Sequence, residues 1–292
     1  MLKHCPPPDR TLRSPRLALP AGAIDSHAHV LGPAQRYPFS SERIYTPEDC
    51  TLSDYVAQLK AIGIARGVLV QPSVYGTDNR ALLAALTEQP IPLRGVAVIG
   101  PEVSDHELSE MHRLGVRGVR CNLVDLKDRS AGVPLGQLLE LAHRVRDLGW
   151  HLELLAHVDE TPTLYDDFID FPVDLVFGHF GYVPLARGHN QPGFLGLLGL
   201  MAAGKAWVKM TGPYRISQQS SLPYHDLSDI VRAVIDANPD RLVWGTDWPH
   251  VMMKTEMPND ADLMDLFADW VPDAALRKKI LVDNPEKLYD FS

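Results

Sequence analysis

The chain has 292 residues, 45% of them hydrophobic and 22% charged, with a formal net charge of −9 when its 12 histidines are counted neutral. This is an ordinary globular balance, long enough to bury most of its apolar surface in one core. The acidity, with no Lys/Arg cluster, excludes a nucleic-acid backbone as the expected partner, although local arginines can still meet a small anion.

Residues 1–22 form a proline-rich arm without periodicity, and its basic residues precede no apolar h-region, so it does not read as a signal peptide. Cys5, Cys50 and Cys121 are sparse, odd in number and form no C-x-x-C, which suits a reducing compartment rather than a disulfide framework. No run approaches the ~18 apolar residues of a membrane span. The expectation is a soluble cytoplasmic protein whose homo-oligomeric state the sequence leaves open.

From residue 23 to 292 short β-branched runs alternate with longer amphipathic stretches. The first run is GAIDSHAHV (22–30), followed by a helical pattern over TLSDYVAQLKAIG (51–63). ARGVLVQPS (65–73) precedes the helical NRALLAALTEQ (79–89), and RGVAVIG (94–100) and RGVRCNLV (117–124) follow. LGQLLELAHRVRDLG (135–149) is again helical, then come HLELLAHV (151–158), VDLVFGHF (173–180), AWVKMTG (206–212), the helical HDLSDIVRAVIDANP (225–239) and RLVWGTD (241–247). Apolar positions in the longer stretches recur at three- and four-residue steps, as one buried helix face requires. Eight strands, most followed by a helix, predict a single (β/α)8 TIM barrel over 23–292. An open doubly wound sheet is the rival, but no glycine-rich phosphate loop follows the first strand.

In such a barrel the carboxyl ends of the strands converge on one mouth. They carry His27 and His29 on the first strand, Ser73 on the second, Arg120 on the fourth, His157 on the fifth, His179 on the sixth, and Asp247 with His250 on the eighth. Period two sets His27 and His29 on one face, with Asp25 deeper on that face. A lone strand-end histidine is more often hydrogen-bonded packing than a ligand. Several at one mouth, with an aspartate, suit a divalent ion or acid–base work. Arg120 on a β-type run needs an anionic partner, either an internal aspartate or a substrate carboxylate. Arg215 follows the seventh strand, and Tyr45 is a further hydrogen-bond donor.

Taken together, DSHAHVLGP, VQPSVYGTDN, RGVRCN, GHFG, LVWGTDWPH and the closing VDNPEKLYDF resemble the amidohydrolase superfamily, and within it the 2-pyrone-4,6-dicarboxylate lactonase-like branch. The resemblance runs from about residue 22 to the end. It implies a (β/α)8 barrel that hydrolyses a carboxylated lactone, with Asp247 as the base for the attacking water. His27, His29 and His179 would hold the carbonyl oxygen or a metal, and Tyr45, Ser73, Arg120, Arg215 and His250 would surround the substrate. His157 looks like the metal-binding histidine of the wider superfamily, so His27, His29, His157 and Asp247 form the expected ligand set for one divalent ion, zinc first. Metal-free catalysis is the alternative, since the branch includes members that work without an ion. The chain departs from the branch at LVDLKDRS, where Leu126 and Lys127 stand near a second basic carboxylate-binding residue, and at Leu154–Leu155, where a tyrosine is replaced. Decarboxylation, or isomerisation of a sugar-acid lactone, is the competing chemistry on the same barrel. A non-catalytic binding barrel is the competing class.

Overall fold

The computed structural model describes residues 3–125, 132–187 and 189–291. Leu126 and Lys127 lie outside the described residues. Eight parallel strands form one sheet in chain order: β1 (Ile24–Ala28), β2 (Arg66–Val70), β3 (Leu93–Ala97), β4 (Val116–Asn122), β5 (His151–Leu155), β6 (Leu175–Phe177), β7 (Ala206–Met210) and β8 (Leu242–Trp244). The ends meet just beyond β8, where Ala28 bridges Trp248 and Asp247 N–H donates to His27 O at 2.8 Å. Helices α1 (Leu52–Ile62), α2 (Arg80–Glu88), α3 (Asp105–Leu114), α4 (Leu135–Val145), α5 (Leu164–Phe168), α6 (Pro192–Ala202) and α7 (Ser228–Ala237) connect the strands, and α8 (Asp260–Trp270), α9 (Ala274–Lys278) and α10 (Asn284–Tyr289) follow. This is the predicted TIM barrel, and the four predicted helical stretches contain α1, α2, α4 and α7.

Local chemistry explains where the elements begin and end. Thr51 caps α1 in a capping box with Asp54, and Ser104 does the same for α3 with Glu107, satisfying donors that the first helical turn cannot pair. Successive strand residues face opposite sides. Leu69 belongs to the main core cluster with the helices, whereas Val68 and Val70 join Ile24 and Val96 around Tyr289 and Phe291. The C-terminal segment thus seals the amino end of the barrel, leaving the carboxyl end for chemistry.

The interior turns polar halfway up. Lys209 on β7 is fully buried and lies 2.6 Å from Glu153 Oε2 on β5. Its ammonium also donates to Ser26 O at 2.8 Å and faces His27 Nδ1 at 3.1 Å. One expectation is corrected in β1. Asp25 does not share the inward face of His27, because the β1–β2 register shifts between Asp25 and Ala28. Its carboxylate accepts instead from Tyr55 Oη of α1 at 2.9 Å and from the Thr246 N–H and hydroxyl at 2.9 and 2.7 Å. Burial pushes Asp25 up to about 6, against hydrogen bonds from Thr246, His27 and Tyr55 that favour the ion.

The segment ahead of the barrel is pinned across its mouth and side. Lys3–His4 pairs in parallel with Tyr45–Thr46, Asn259 donates to Asp9 Oδ2 at 2.9 Å, and Arg16 forms ion pairs with Asp265 and Asp269 of α8. Among the described residues no helix is long and apolar enough to cross a membrane, and Cys5, Cys50 and Cys121 are free thiols.

Candidate active site

The end of β1 delivers His27 and His29, and the turn after β6 delivers His179. The segment after β8 delivers Asp247, whose fully buried carboxylate stands between them. Asp247 Oδ1 lies 3.6 Å from His27 Nε2, 4.0 Å from His29 Nε2 and 3.9 Å from His179 Nε2. His179 and Asp247 take left-handed backbone, at φ of +50° and +64°. That conformation costs an L-residue roughly 1–2 kcal/mol and here aims two strand-end side chains at one point.

The far carboxylate oxygen is held from the loop after β7. Asp247 Oδ2 accepts from Arg215 Nε and from Tyr214 Oη, each at 2.7 Å. This loop starts at Gly212 with φ +52°, where a Cβ would come within 2.8 Å of both Asp247 Oδ2 and His179 Nδ1. Only glycine both adopts that backbone cheaply and leaves the space.

Charge follows from these contacts. Burial alone would raise the Asp247 carboxyl, but the Arg215 guanidinium, by its charge and its hydrogen bond, outweighs it and holds the group well below the usual carboxylate range. Burial pushes His29 and His179 well below their ordinary value, and burial with Lys209 lowers His27. The centre at neutral pH is one carboxylate among three neutral imidazoles. His29 Nδ1–H donates to Val70 O at 2.7 Å, which leaves Nε2 as a bare lone pair. His27 Nδ1 faces both a donor, Lys209 Nζ, and an acceptor, Glu153 Oε1 at 3.4 Å. Its Nε2 can therefore present either a lone pair or an N–H.

His27, His29 and Asp247 could hold a metal ion. Their ligand atoms lie within 4.8 Å of one another. Asp247 Oδ1 and His27 Nε2 have no hydrogen-bond partner among the described residues. Their 3.6 Å separation and the 4.0 Å to His29 are within the ~4.2 Å that two ~2.1 Å metal bonds span.

Above this centre is a cavity of about 50 Å³ lined by His29, Tyr45, Ser73, Arg120, Leu155, His179, Tyr182, Arg215 and Asp247, among others. The barrel thus gathers most of the residues singled out from the strand ends, with His27 directly beneath. Arg120 donates to Gln71 O at 3.2 Å, and its Nε is buried without a partner among the described residues. Among the described residues no aspartate pairs with this arginine. Burial pushes the Tyr45 phenol up to about 12, keeping it a donor.

Two expected residues stand elsewhere. His157 Nδ1 meets Tyr182 O at 3.2 Å, and the ring packs edge-on against Tyr182, outside the His27–His29–Asp247 group. His250 does not line the cavity; its ring nitrogens face Tyr214 and Asp260. Lys209, Glu153, Tyr214 and Tyr182 escaped the sequence reading. A charge inside an apolar strand run, as in AWVKM and HLELL, is the signal that marks the first two.

The amidohydrolase family model matches residues 24–291. A 2-pyrone-4,6-dicarboxylate hydrolase of Comamonas testosteroni is 38% identical, the alignment covering 94% of this chain and 92% of that one. A 4-sulfomuconolactone hydrolase of Hydrogenophaga intermedia is 35% identical over 98% of this chain and 94% of its own. A Pseudomonas putida crystal structure, solved as a candidate 2-pyrone-4,6-dicarboxylic acid hydrolase, superposes with a TM-score of 0.79 at 41% identity, covering 94% of this chain and 99% of that one. With the match running from the first barrel strand to the last helix, the chain belongs to the amidohydrolase family.

Proposed function

We propose that this protein is a hydrolase that opens a small carboxylated lactone with water activated at Asp247. The observation that carries the reading is the divided carboxylate. Asp247 Oδ2 is committed to Tyr214 and Arg215, while Oδ1 is buried, unpartnered among the described residues and ringed by three imidazoles. The relatedness to two lactone hydrolases over nearly the whole chain supports it.

Water seated against Asp247 Oδ1 attacks the lactone carbonyl carbon and gives its proton to that oxygen. The carbonyl oxygen becomes an oxyanion, which His27 Nε2–H and His179 face; a preorganised donor is typically worth about 3 kcal/mol. The ring C–O bond then breaks, and the departing oxygen takes back the proton from Asp247, giving a hydroxy or enol acid. Arg120, whose Nε is unpartnered among the described residues, holds a substrate carboxylate and supplies orientation rather than chemistry. Tyr45 and Ser73 add donors, and Arg215 fixes Asp247 at the cavity wall. His27, His29 and Asp247 would hold a divalent ion, zinc by their nitrogen and oxygen donors, and when bound it supplies Lewis-acid polarisation.

Ring opening of a panel of carboxylated lactones and pyrones tests the reading, with product analysis to show that one water is gained. Asp247→Asn is expected to lose at least ~10³-fold in kcat while keeping substrate affinity, in line with loss of a general base and its charge. Near-normal turnover in that variant rejects the assignment. Metal content of protein purified without added ions, followed by chelation, decides the ion. Lost turnover that zinc restores assigns it, and undiminished turnover in metal-free protein assigns its role to the histidine N–H groups.

A further inference from the structure

Behind Asp247 lies a run of buried polar side chains, of which the chemistry above uses only Tyr214. Tyr214 Oη is 2.7 Å from Asp247 Oδ2 and 2.8 Å from His250 Nδ1. His250 Nε2 lies 3.2 Å from Asp260 Oδ1, a close contact in which neither atom has a hydrogen-bond partner among the described residues, and Asp260 Oδ2 accepts from Gln58 Nε2 at 2.8 Å. His250 and Asp260 are each 1% exposed, and neither lines the cavity. The four residues come from α1, the loop after β7, the segment after β8 and the first position of α8. Apolar side chains would fill that volume without the desolvation that four polar groups incur.

The direction of each bond follows from the inventory of protons. Asp247 is an ionised acceptor. A tyrosine phenol is protonated at neutral pH, so Tyr214 is O–H. Its single proton goes to Asp247 Oδ2, and its oxygen must accept from His250 Nδ1–H.

We propose that Tyr214, His250 and Asp260 are positioning residues that lock the plane of the Asp247 carboxylate, so that Oδ1 alone meets the attacking water. A carboxylate turns easily about its terminal torsion, where the energy wells are broad. Arg215 holds Oδ2 through Nε, but that residue lines the cavity and is open to competition from a substrate carboxylate. Tyr214 is braced from behind by His250, with Asp260 packed against the far side of that ring, where substrate cannot reach, so its grip on Oδ2 persists through the catalytic cycle.

The inference rests on Asp247 being the base, and the experiment separates the two. Wild type, Asp247→Asn, Tyr214→Phe, Asp260→Asn and the double variant Tyr214→Phe/Asp260→Asn are compared in ring-opening rates and thermal unfolding. Tyr214→Phe is expected to lower kcat about 30-fold with KM changed less than about threefold. Asp260→Asn, whose carboxylate touches neither Asp247 nor the cavity, is expected to lower kcat about tenfold. The double variant is expected to be no slower than Tyr214→Phe alone, because both act through one hydroxyl. Independent, multiplying losses, or an Asp260→Asn enzyme with normal kcat, overturn the proposal while leaving Asp247 as the base. If Asp260→Asn does not fold, Gln58→Leu, which releases the same carboxylate, is read in its place, with an expected loss of about threefold. If wild type opens no lactone, the functional reading falls, and the chain is read without turnover. In ¹⁵N-histidine spectra, a slowly exchanging His250 Nδ1 proton, assigned by its loss in His250→Gln, is expected to move in both Tyr214→Phe and Asp260→Asn. An unmoved signal overturns the chain.

Discussion

Gly212→Ala puts the geometry of the base to a direct test. The new Cβ would stand 2.8 Å from Asp247 Oδ2, 2.8 Å from His179 Nδ1 and 3.1 Å from Arg215 Cδ, whereas ordinary contact begins at 3.4 Å. The carboxylate and the ring would each have to retreat by roughly half an ångström. Oδ2 cannot do so freely, because the same displacement stretches its 2.7 Å bonds to Tyr214 and Arg215. A misplacement of about 1 Å in a reacting group typically costs ~10²-fold. A fall of 30- to 100-fold in kcat is therefore expected. The left-handed backbone adds roughly 1–2 kcal/mol of instability. Gly63→Ala is the matched control. Gly63 has φ +82° at the end of α1, with nothing within 4 Å of a new Cβ, so it carries the backbone cost without the contacts. Initial rates of ring opening and urea unfolding of both variants supply the readings. Equal activity in the two, with equal loss of stability, would show that the close approach at Gly212 does not position the base.

Two further predictions concern the barrel interior. Lys209→Met leaves the Glu153 carboxylate buried and uncompensated, which typically costs 3–5 kcal/mol, whereas Lys209→Met/Glu153→Leu is expected to regain most of it; urea unfolding measures both, and a single-variant loss under about 1 kcal/mol refutes the pairing. His151 is buried with no partner on either ring nitrogen among the described residues, and burial pulls it from 6.5 to about 4. Between those values the unfolded chain binds the extra proton, so stability is lost as pH falls from 6.5 towards 4. The loss is about 3 kcal/mol at 1.36 kcal/mol per unit. His151→Leu is expected to remove that part of the pH dependence, and an unchanged stability–pH slope in the variant contradicts it.

Much of this protein is legible from its residues in order. The strand and helix runs follow from period-two and period-3.6 burial, which neighbouring residues decide. His27, His29, His179 and Asp247 are legible because a barrel brings strand ends together whatever its sequence. What the chain alone left open depends on contacts between segments far apart. Strict alternation puts Asp25 beside His27, but the register shift in β1 turns it to Tyr55 of α1, and a shift of that kind is set by the neighbouring strand. Spacing could not show that Lys209 on β7 meets Glu153 on β5, nor that His250 turns from the cavity to join Tyr214 to Asp260. DSHAH alone stood between packing and ligation. Closing β1 against the segment after β8 placed a buried carboxylate oxygen among its imidazoles, because the barrel seam carries Asp247 N–H to His27 O.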